Sequence, residues 1–380
     1  MLLATWQQRY DSYMGRKRKK FKPTRVDYIA ACLSLLTILG AFFTIVPVWT
    51  ALTAGLAGLS VVIFVIALIL LVVILSQANK PLRPILVAAL CAGALGLIVP
   101  QAAYIRTAMH TGARLSFNMI DYVEFSGSTD LPATREYVYK SLPDRSLMLA
   151  FYESKTPGNR PLVVLLHGGA WRYGNHHETG QWPTVLTDAG YDVASVEYRL
   201  SNDEYHTWQD APADVHDAIS YLRAHAEELS VDADAIHLFG QSAGGHLALL
   251  EAYRFHTVRS VTALYAPIDL TLDYETSRDK SAELDFIGGT PAEFSARYRA
   301  VSPIAYVDNK SPRSLLIQGK SDDLVHHENT RRLGKALDSH GVNNRTVFIP
   351  LTGHSFENQR GGFATQIATH QVLDFLNQKE

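Results

Sequence analysis

The hydrophobic positions divide the chain into an apolar first third and a mixed remainder. Three nearly uncharged runs occupy the first third, at residues 28–52, 56–75 and 85–104. Each run approaches or exceeds the roughly 20 residues that a helix needs to cross a bilayer, and backbone groups in lipid must pair internally, which favours helices. The pattern predicts a membrane domain with three transmembrane helices over residues 28–104, after a basic tail at residues 1–27.

Individual apolar runs are open to other interpretations. Any one of them is compatible with a buried core helix. The third run is rich in alanine and glycine, so it also fits a re-entrant or interfacial segment. A cleaved signal peptide fits the first run poorly, because that run is longer than the usual h-region of about 7–15 residues.

Basic residues in the short connections predict the orientation of these helices. The tail has eight of them, whereas the turn at residues 50–55 has none and the next loop has Lys80 and Arg83. We therefore expect a multi-pass protein of the cell membrane whose N-terminus is cytoplasmic and whose residues after 104 are extracytoplasmic. The lipid bilayer is one expected partner. Nucleic acid is not, because the net charge is -2 and no nucleic-acid-binding motif is present.

After a polar linker at residues 105–130, strand and helix patterns alternate over residues 131–380. Strands are predicted at 135–140, 146–153, 162–166, 192–198, 235–239, 261–265, 314–318 and 345–349. Helices are predicted at 182–189, 211–229, 244–252, 329–339 and 365–378. This alternation predicts the α/β class, with a mostly parallel sheet covered by helices on both faces. Residues 273–307 break the alternation and are interpreted as a cap segment over the site.

A Gly-x-Ser-x-Gly element joins the strand at 235–239 to the helix at 244–252. It reads Gly240-Gln241-Ser242-Ala243-Gly244. A serine on such a strand–turn–helix junction has an exposed hydroxyl, and flanking glycines permit the tight turn. Ser242 is the predicted nucleophile, and the N–H of Ala243 is predicted to contribute to an oxyanion hole.

Further candidate residues follow other predicted strands. The loop after 162–166 reads His167-Gly168-Gly169-Ala170-Trp171, whose small residues allow backbone N–H groups to face a developing negative oxygen. Two carboxylates, Asp322 and Asp323, follow the strand at 314–318, and His354 follows the last strand. A carboxylate there can orient a histidine, which would accept the serine proton.

Metal and redox chemistry find little support in the sequence. His176 and His177 precede Glu178, but adjacent histidines without further spaced ligands rarely form a metal site. No metal and no cofactor are therefore predicted. Both cysteines, Cys32 and Cys91, lie in the apolar runs, so the remainder of the chain has neither a disulfide nor a thiolate site.

The motifs HGGAW, EYRL, GQSAGGHLAL, GKSDDLV and GHSF resemble the α/β-hydrolase superfamily over about residues 135–379. They are most similar to its carboxylesterase branch, which includes kynurenine formamidase-like, ferulic-acid-esterase-like and prenylcysteine methylesterase-like enzymes. The resemblance implies a triad of Ser242, Asp322 and His354, in the chain order of this fold. It selects Asp322 over Asp323 by spacing. It also implies oxyanion donors, which are Gly169, Ala170 and Ala243.

Two positions differ from the motifs of a related group of enzymes within the superfamily. Ala170 and Gln241 stand where hormone-sensitive-lipase-like enzymes have the third glycine of HGGG and the aspartate of GDSAGG. Trp171 fits the family pattern and is interpreted first as a packing or pocket-wall residue, and His167 and Gly168 as members of the supporting loop.

The expected protein is a membrane-anchored serine hydrolase that cleaves carboxylic esters without a cofactor. Its topology suggests O-acyl groups of envelope lipids or glycans as substrates. Three alternatives stay open, namely an acyltransferase that uses the same triad, a serine peptidase, and a non-enzymatic membrane scaffold. The sequence makes no prediction about oligomeric state, acyl length or the alcohol part of the ester.

Overall fold

The computed structural model describes residues 83–116 and 131–378, together with Tyr28, Ile66 and Ile69. The predicted basic tail lies outside the described residues. So do the first two apolar runs, apart from those single positions, and residues 117–130 of the predicted linker.

The third apolar run lies in helix α1, Arg83–Thr111, which contains Pro100. No helix among the described residues combines the length and the apolar character that crossing a bilayer demands.

Helix α1 continues past residue 105, the predicted start of the linker, as far as Thr111. Tyr104 and Ala108, one helical turn apart, are both 3% exposed. The ring of Tyr104 packs edge-on against Phe363 at 6.3 Å, and its hydroxyl donates to the carbonyl oxygen of Leu351 at 3.3 Å. These contacts stabilise the last turns of the helix, and the polarity of residues 105–111 alone did not reveal them.

Eight strands of the described chain form one sheet in the order β1-β2-β4-β3-β5-β6-β7-β8. The pairs β1–β2 and β2–β4 are antiparallel, and every other neighbouring pair is parallel. The predicted mostly parallel sheet is thus confirmed. The strands are Arg135–Ser141 (β1), Ser146–Tyr152 (β2), Arg160–Leu166 (β3), Asp192–Val196 (β4), Val231–Gln241 (β5), Ser260–Leu264 (β6), Arg313–Gly319 (β7) and Asn344–Ile349 (β8).

Helices cover both faces of this sheet, which explains why the central strand β3 is apolar from Leu162 to Leu166. Successive side chains of a strand point to opposite faces. On β3, Leu162, Val164 and Leu166 belong to one buried cluster, whereas Val163 and Leu165 belong to another. The helices that follow α1 are Trp182–Asp188 (α2), Asp210–Ala224 (α3), Ala226–Leu229 (α4), Ala243–Phe255 (α5), Leu270–Thr276 (α6), Ser281–Ile287 (α7), Pro291–Ala300 (α8), Glu328–Ser339 (α9) and Phe363–Leu376 (α10).

The segment predicted as a cap, residues 273–307, consists of short helices, α6 to α8, and a 3-10 turn at Pro303–Tyr306. Its first helix begins slightly earlier than predicted, because the side chain of Asp269 accepts a hydrogen bond from the N–H of Leu272 and caps α6. Thr290 and Glu293 form a capping box at the start of α8. Local caps thus define helices in a segment with little periodicity.

Candidate active site

Ser242 lies on the sharp turn between the end of β5 and the start of α5. Its backbone has φ 52° and ψ −120°, a region that non-glycine residues rarely adopt and that must be imposed by the surrounding structure. The N–H of Ser242 donates to the carbonyl oxygen of Leu264 on β6, and its carbonyl oxygen accepts from the N–H of His246, each at 2.9 Å. These two bonds fix the strained turn from the sheet side and from the helix side.

The glycines on either side of Ser242 are required by close backbone approaches. A β-carbon at Gly240 would lie 2.2 Å from the carbonyl oxygen of Gly244. One at Gly244 would lie 2.1 Å from the carbonyl oxygen of Leu166 on β3. Neither distance is compatible with a side chain, so both glycines of the motif are needed for the turn to pack against the sheet.

The structure brings Ser242, His354 and Asp322 together from the ends of β5, β8 and β7. The Nε2 atom of His354 lies 2.9 Å from the Oγ atom of Ser242. Its Nδ1 atom lies 2.8 Å from the Oδ2 atom of Asp322. A carboxylate can only accept here, so Nδ1 carries the proton and Nε2 is left to accept one from the serine hydroxyl.

Asp322 is fixed by hydrogen bonds on both of its carboxylate oxygens. Oδ1 accepts from the N–H groups of Leu324 and Val325 at 3.0 and 2.9 Å. Oδ2 accepts from the Nε2 atom of Gln318 at 3.0 Å, in addition to the histidine. The carboxylate is therefore held with a single orientation toward the imidazole.

Asp323, the rejected alternative, lies elsewhere. Its Oδ2 atom accepts from the Nη1 atom of Arg278 at 3.2 Å, and the arginine side chain is 74% exposed. Of the two neighbouring carboxylates, only Asp322 contacts His354.

The surroundings of His354 shift its pKa. Burial by itself would lower the pKa of the imidazole, but the charge of Asp322 and its hydrogen bond outweigh burial, so the pKa is raised above the ordinary 6.5. A raised pKa makes the histidine a stronger base toward the serine proton.

The predicted oxyanion residues line the same cavity as Ser242. Gly169 has φ 122° and Ala170 has φ 55°, so the chain reverses sharply there, and the carbonyl oxygen of Gly169 accepts from the N–H groups of Arg172 and Tyr173 at 2.9 Å each. Ala243 is the first residue of α5, and N–H groups in the first turn of a helix have no acceptor within the helix.

The other residues of the predicted supporting loop pack against neighbouring elements. His167 is buried, whereas Gly168 also lines the cavity. The ring of His167 stacks on Tyr198 at 4.3 Å, and the tyrosine hydroxyl donates to the carbonyl oxygen of His167 at 2.8 Å. A β-carbon at Gly168 would lie 3.3 Å from the carbonyl oxygen of Gln241, which explains a small residue there.

Trp171 connects this loop to α5 and to the cap. Its indole N–H donates to the Nδ1 atom of His246 at 3.1 Å, and its ring stacks on Phe286 of α7 at 4.6 Å. These contacts agree with the interpretation of Trp171 as a packing residue. Trp171 also forms part of the cavity wall.

Sequence reasoning missed Glu357, a buried carboxyl group beside His354. Its Oε1 atom accepts from the Nε2 atom of Gln241 at 2.8 Å and also from the hydroxyl of Tyr265. Burial raises the pKa of Glu357. The tyrosine ring lies 4.5 Å from the imidazole of His354. Gln241 of the Gly-x-Ser-x-Gly element thus has a definite partner in Glu357. The glutamine, which stands where related lipases have an aspartate, was the only signal of this contact in the sequence.

The cavity over Ser242 has a volume of about 430 Å³. The cap contributes polar side chains to its lining, including Asp273, Ser277 and Glu283, whereas Pro267 and Leu324 are apolar. Burial and the charge of Glu283 raise the pKa of Asp273 well above its ordinary value. Sequence reasoning predicted the cap but neither of these carboxyl groups.

Curated relatives that match part of this chain include ester hydrolases. The family model described as BD-FAE matches residues 149–337. A probable carboxylic ester hydrolase, LipM of Mycobacterium tuberculosis, is 27% identical over 57% of this chain and 54% of its own length. An ethyl acetate hydrolase of Pseudomonas putida is 34% identical over 51% of this chain and 65% of its own length. The chain spans little more than half the length of the first curated relatives it matches.

Solved structures share the fold at low sequence identity. A truncated carbohydrate esterase from gut microbiota has a TM-score of 0.57 and 23% identity, covering 66% of this chain and 98% of that one. An acetyl ester-xyloside bifunctional hydrolase from Caldicellulosiruptor lactoaceticus has a TM-score of 0.58 and 20% identity, covering 65% and 96%. These likenesses establish the fold of the domain.

Proposed function

We propose that this chain is an enzyme of the carboxylesterase branch of the α/β-hydrolase superfamily and that it hydrolyses carboxylic esters with Ser242 as the nucleophile. The BD-FAE match over residues 149–337 and the esterase relatives support this family. The observation that carries the proposal is the continuous contact from Ser242 through His354 to Asp322, at 2.9 and 2.8 Å. The esterase relatives support the same reaction type.

The reaction proceeds in two acyl-transfer steps. Ser242 attacks the ester carbonyl carbon while His354 takes the hydroxyl proton, and the same proton then passes to the departing alcohol. Water, deprotonated by His354, attacks the acyl-enzyme and releases the carboxylic acid together with the free serine. The N–H groups of Gly169, Ala170 and Ala243 stabilise the negative oxygen of each tetrahedral intermediate, at roughly 3–4 kcal/mol per donor.

Steady-state hydrolysis of 4-nitrophenyl acetate by the full-length protein tests this proposal. The wild type is expected to release nitrophenol, and Ser242→Ala and His354→Ala are each expected to lower kcat by at least about 10⁴-fold. Asp323→Asn is the matched control near the site and should keep the wild-type rate. Wild-type protein that turns over neither this ester nor longer acyl esters would contradict the proposal.

We also propose that the domain is tethered to the cell membrane by a multi-pass segment, with a cytoplasmic N-terminus and an extracytoplasmic catalytic domain. The support is the three apolar runs and the basic residues of the tail and second loop. Reporter fusions ending after residues 54, 80 and 116 measure the side on which each position lies. We expect outside, inside and outside in that order, and a cytoplasmic reporter after residue 116 would contradict the topology.

The substrates that we propose are O-acyl esters of envelope lipids or glycans. The proposed topology places the active site in the envelope, and the polar lining from the cap suits a substrate that bears hydroxyl groups. The carbohydrate esterase and the xyloside hydrolase among the structural neighbours are consistent with a glycan. Comparison of envelope lipids and glycans between cells with native protein and cells with Ser242→Ala should show one acylated species that accumulates. Unchanged acylation in both fractions would contradict this substrate class.

A further inference from the structure

A second cluster of chemistry-bearing side chains lies outside the proposed catalytic machinery. Glu136 on β1 meets His176 and His177 on the loop that follows the oxyanion residues. Each of the three offers a ligand atom, and these atoms all lie within 4.8 Å of one another. The sequence alone identifies no third ligand for the paired histidines. The fold places Glu136 of the first strand beside them.

His176 is the unusual member of the cluster. It is 8% exposed, and neither of its shielded ring nitrogens has a hydrogen-bond partner in the described structure. Native proteins rarely leave a buried polar group unsatisfied, because doing so costs about 1–3 kcal/mol. A bound cation would satisfy one of these nitrogens directly.

The other two members are placed to complete such a site. The Nε2 atom of His177 lies 3.1 Å from the Oε1 atom of Glu136, and their side chains are 49% and 45% exposed. Exposed side chains can rotate by the small amount that ligation at about 2.0–2.2 Å requires. They also leave a path for the ion and a position for a water ligand. The ring of His177 is 4.2 Å from that of His176.

We propose that Glu136, His176 and His177 bind a divalent cation of the zinc class. Two imidazoles and one carboxylate, with a water in the fourth position, form a zinc-type ligand set. Calcium and magnesium prefer sets made of oxygen atoms. The bound ion links β1 to the segment that begins at Gly169 and Ala170, so it stabilises the loop that carries the oxyanion donors. This proposal does not rest on the proposed esterase activity.

Isothermal titration of the chelator-treated full-length protein with Zn²⁺ tests the proposal. We expect one ion per chain, no comparable heat with Ca²⁺, and visible absorption bands when Co²⁺ replaces Zn²⁺. His177→Ala and Glu136→Gln should each weaken Zn²⁺ binding by at least roughly tenfold. His340→Ala, at an exposed histidine after α9, is the matched control and should keep the wild-type affinity.

Thermal unfolding separates loss of the site from loss of the fold. Without metal, the two variants should unfold at the wild-type temperature, because the substituted side chains are about half exposed. With Zn²⁺, only the wild type and His340→Ala should gain stability. Absence of Zn²⁺ binding by the wild type, equal binding of Ca²⁺, or unchanged affinity in both site variants would each overturn the proposal.

Discussion

The substitution Asp322→Asn is the most informative single change in the proposed triad. The Oδ1 atom of Asp322 accepts from the N–H groups of Leu324 and Val325, so an asparagine must keep its carbonyl oxygen at that position. Its NH₂ group then faces the Nδ1 atom of His354 and the Nε2 atom of Gln318, both of which donate to the native carboxylate. His354 can relieve the clash only by moving its proton to Nε2, which then can no longer accept from the serine.

The size of the expected fall in kcat follows from the loss of the productive tautomer of His354. The same change in a serine protease lowers kcat by about 10⁴-fold, which corresponds to about 5 kcal/mol of transition-state stabilisation. We expect a loss of this size here, because the contacts that hold the carboxylate leave the amide no alternative orientation. The assay is steady-state hydrolysis of 4-nitrophenyl acetate near neutral pH, with circular dichroism to verify that the variant is folded.

Asp323→Asn is the control, since the side chain of Asp323 contacts Arg278 at the surface rather than His354. It should retain activity within a few-fold of the wild type. If Asp322→Asn were folded and kept more than a tenth of the wild-type kcat, the proposed orienting role of the carboxylate would be refuted.

Three further predictions concern the surroundings of the site. Neutral His354 is the base and its pKa is raised above the ordinary 6.5, so kcat/KM should fall as the pH drops through this raised pKa. Glu357→Gln should move this acidic limb to lower pH, because the charge of Glu357 is one of the causes that raise the pKa of His354. A pH–rate series measures both effects, and an upward move would contradict the assignment. Gly244→Ala places a β-carbon 2.1 Å from a carbonyl oxygen of β3. Urea unfolding should therefore show that the free energy of unfolding falls by about 3 kcal/mol or more. A variant with wild-type stability would show that the turn can relax. Trp171→Phe leaves the Nδ1 atom of buried His246 without its hydrogen-bond donor. The free energy of unfolding in the same assay should fall by about 1–3 kcal/mol. An unchanged urea midpoint would mean that another donor replaces the indole.

The architecture of the domain was predictable because its signals are local. The apolar run at 162–166 indicates a strand covered on both faces. Gly240 and Gly244 predict a tight turn, and the structure leaves no space for a side chain at either position. Strand ends on one edge of a parallel sheet converge, so residues after β5, β7 and β8 were expected to meet. The choice of Asp322 over its neighbour depended on family resemblance.

The features that escaped prediction arise from contacts between distant parts of the chain. The burial of Tyr104 against Phe363 extends α1 beyond the apolar run. The partnership of Gln241 with Glu357 joins two loops that periodicity cannot connect. Tertiary packing, rather than local propensity, determines such contacts.

The most direct test of the proposed nucleophile is to locate the residue that a fluorophosphonate modifies. The full-length protein is treated with the reagent, digested, and analysed by mass spectrometry. A single adduct on Ser242, absent from Ser242→Ala and formed far more slowly in His354→Ala, is the predicted result. An adduct on another residue, or no adduct on folded protein, would contradict the claim that the turn after β5 holds an activated nucleophile.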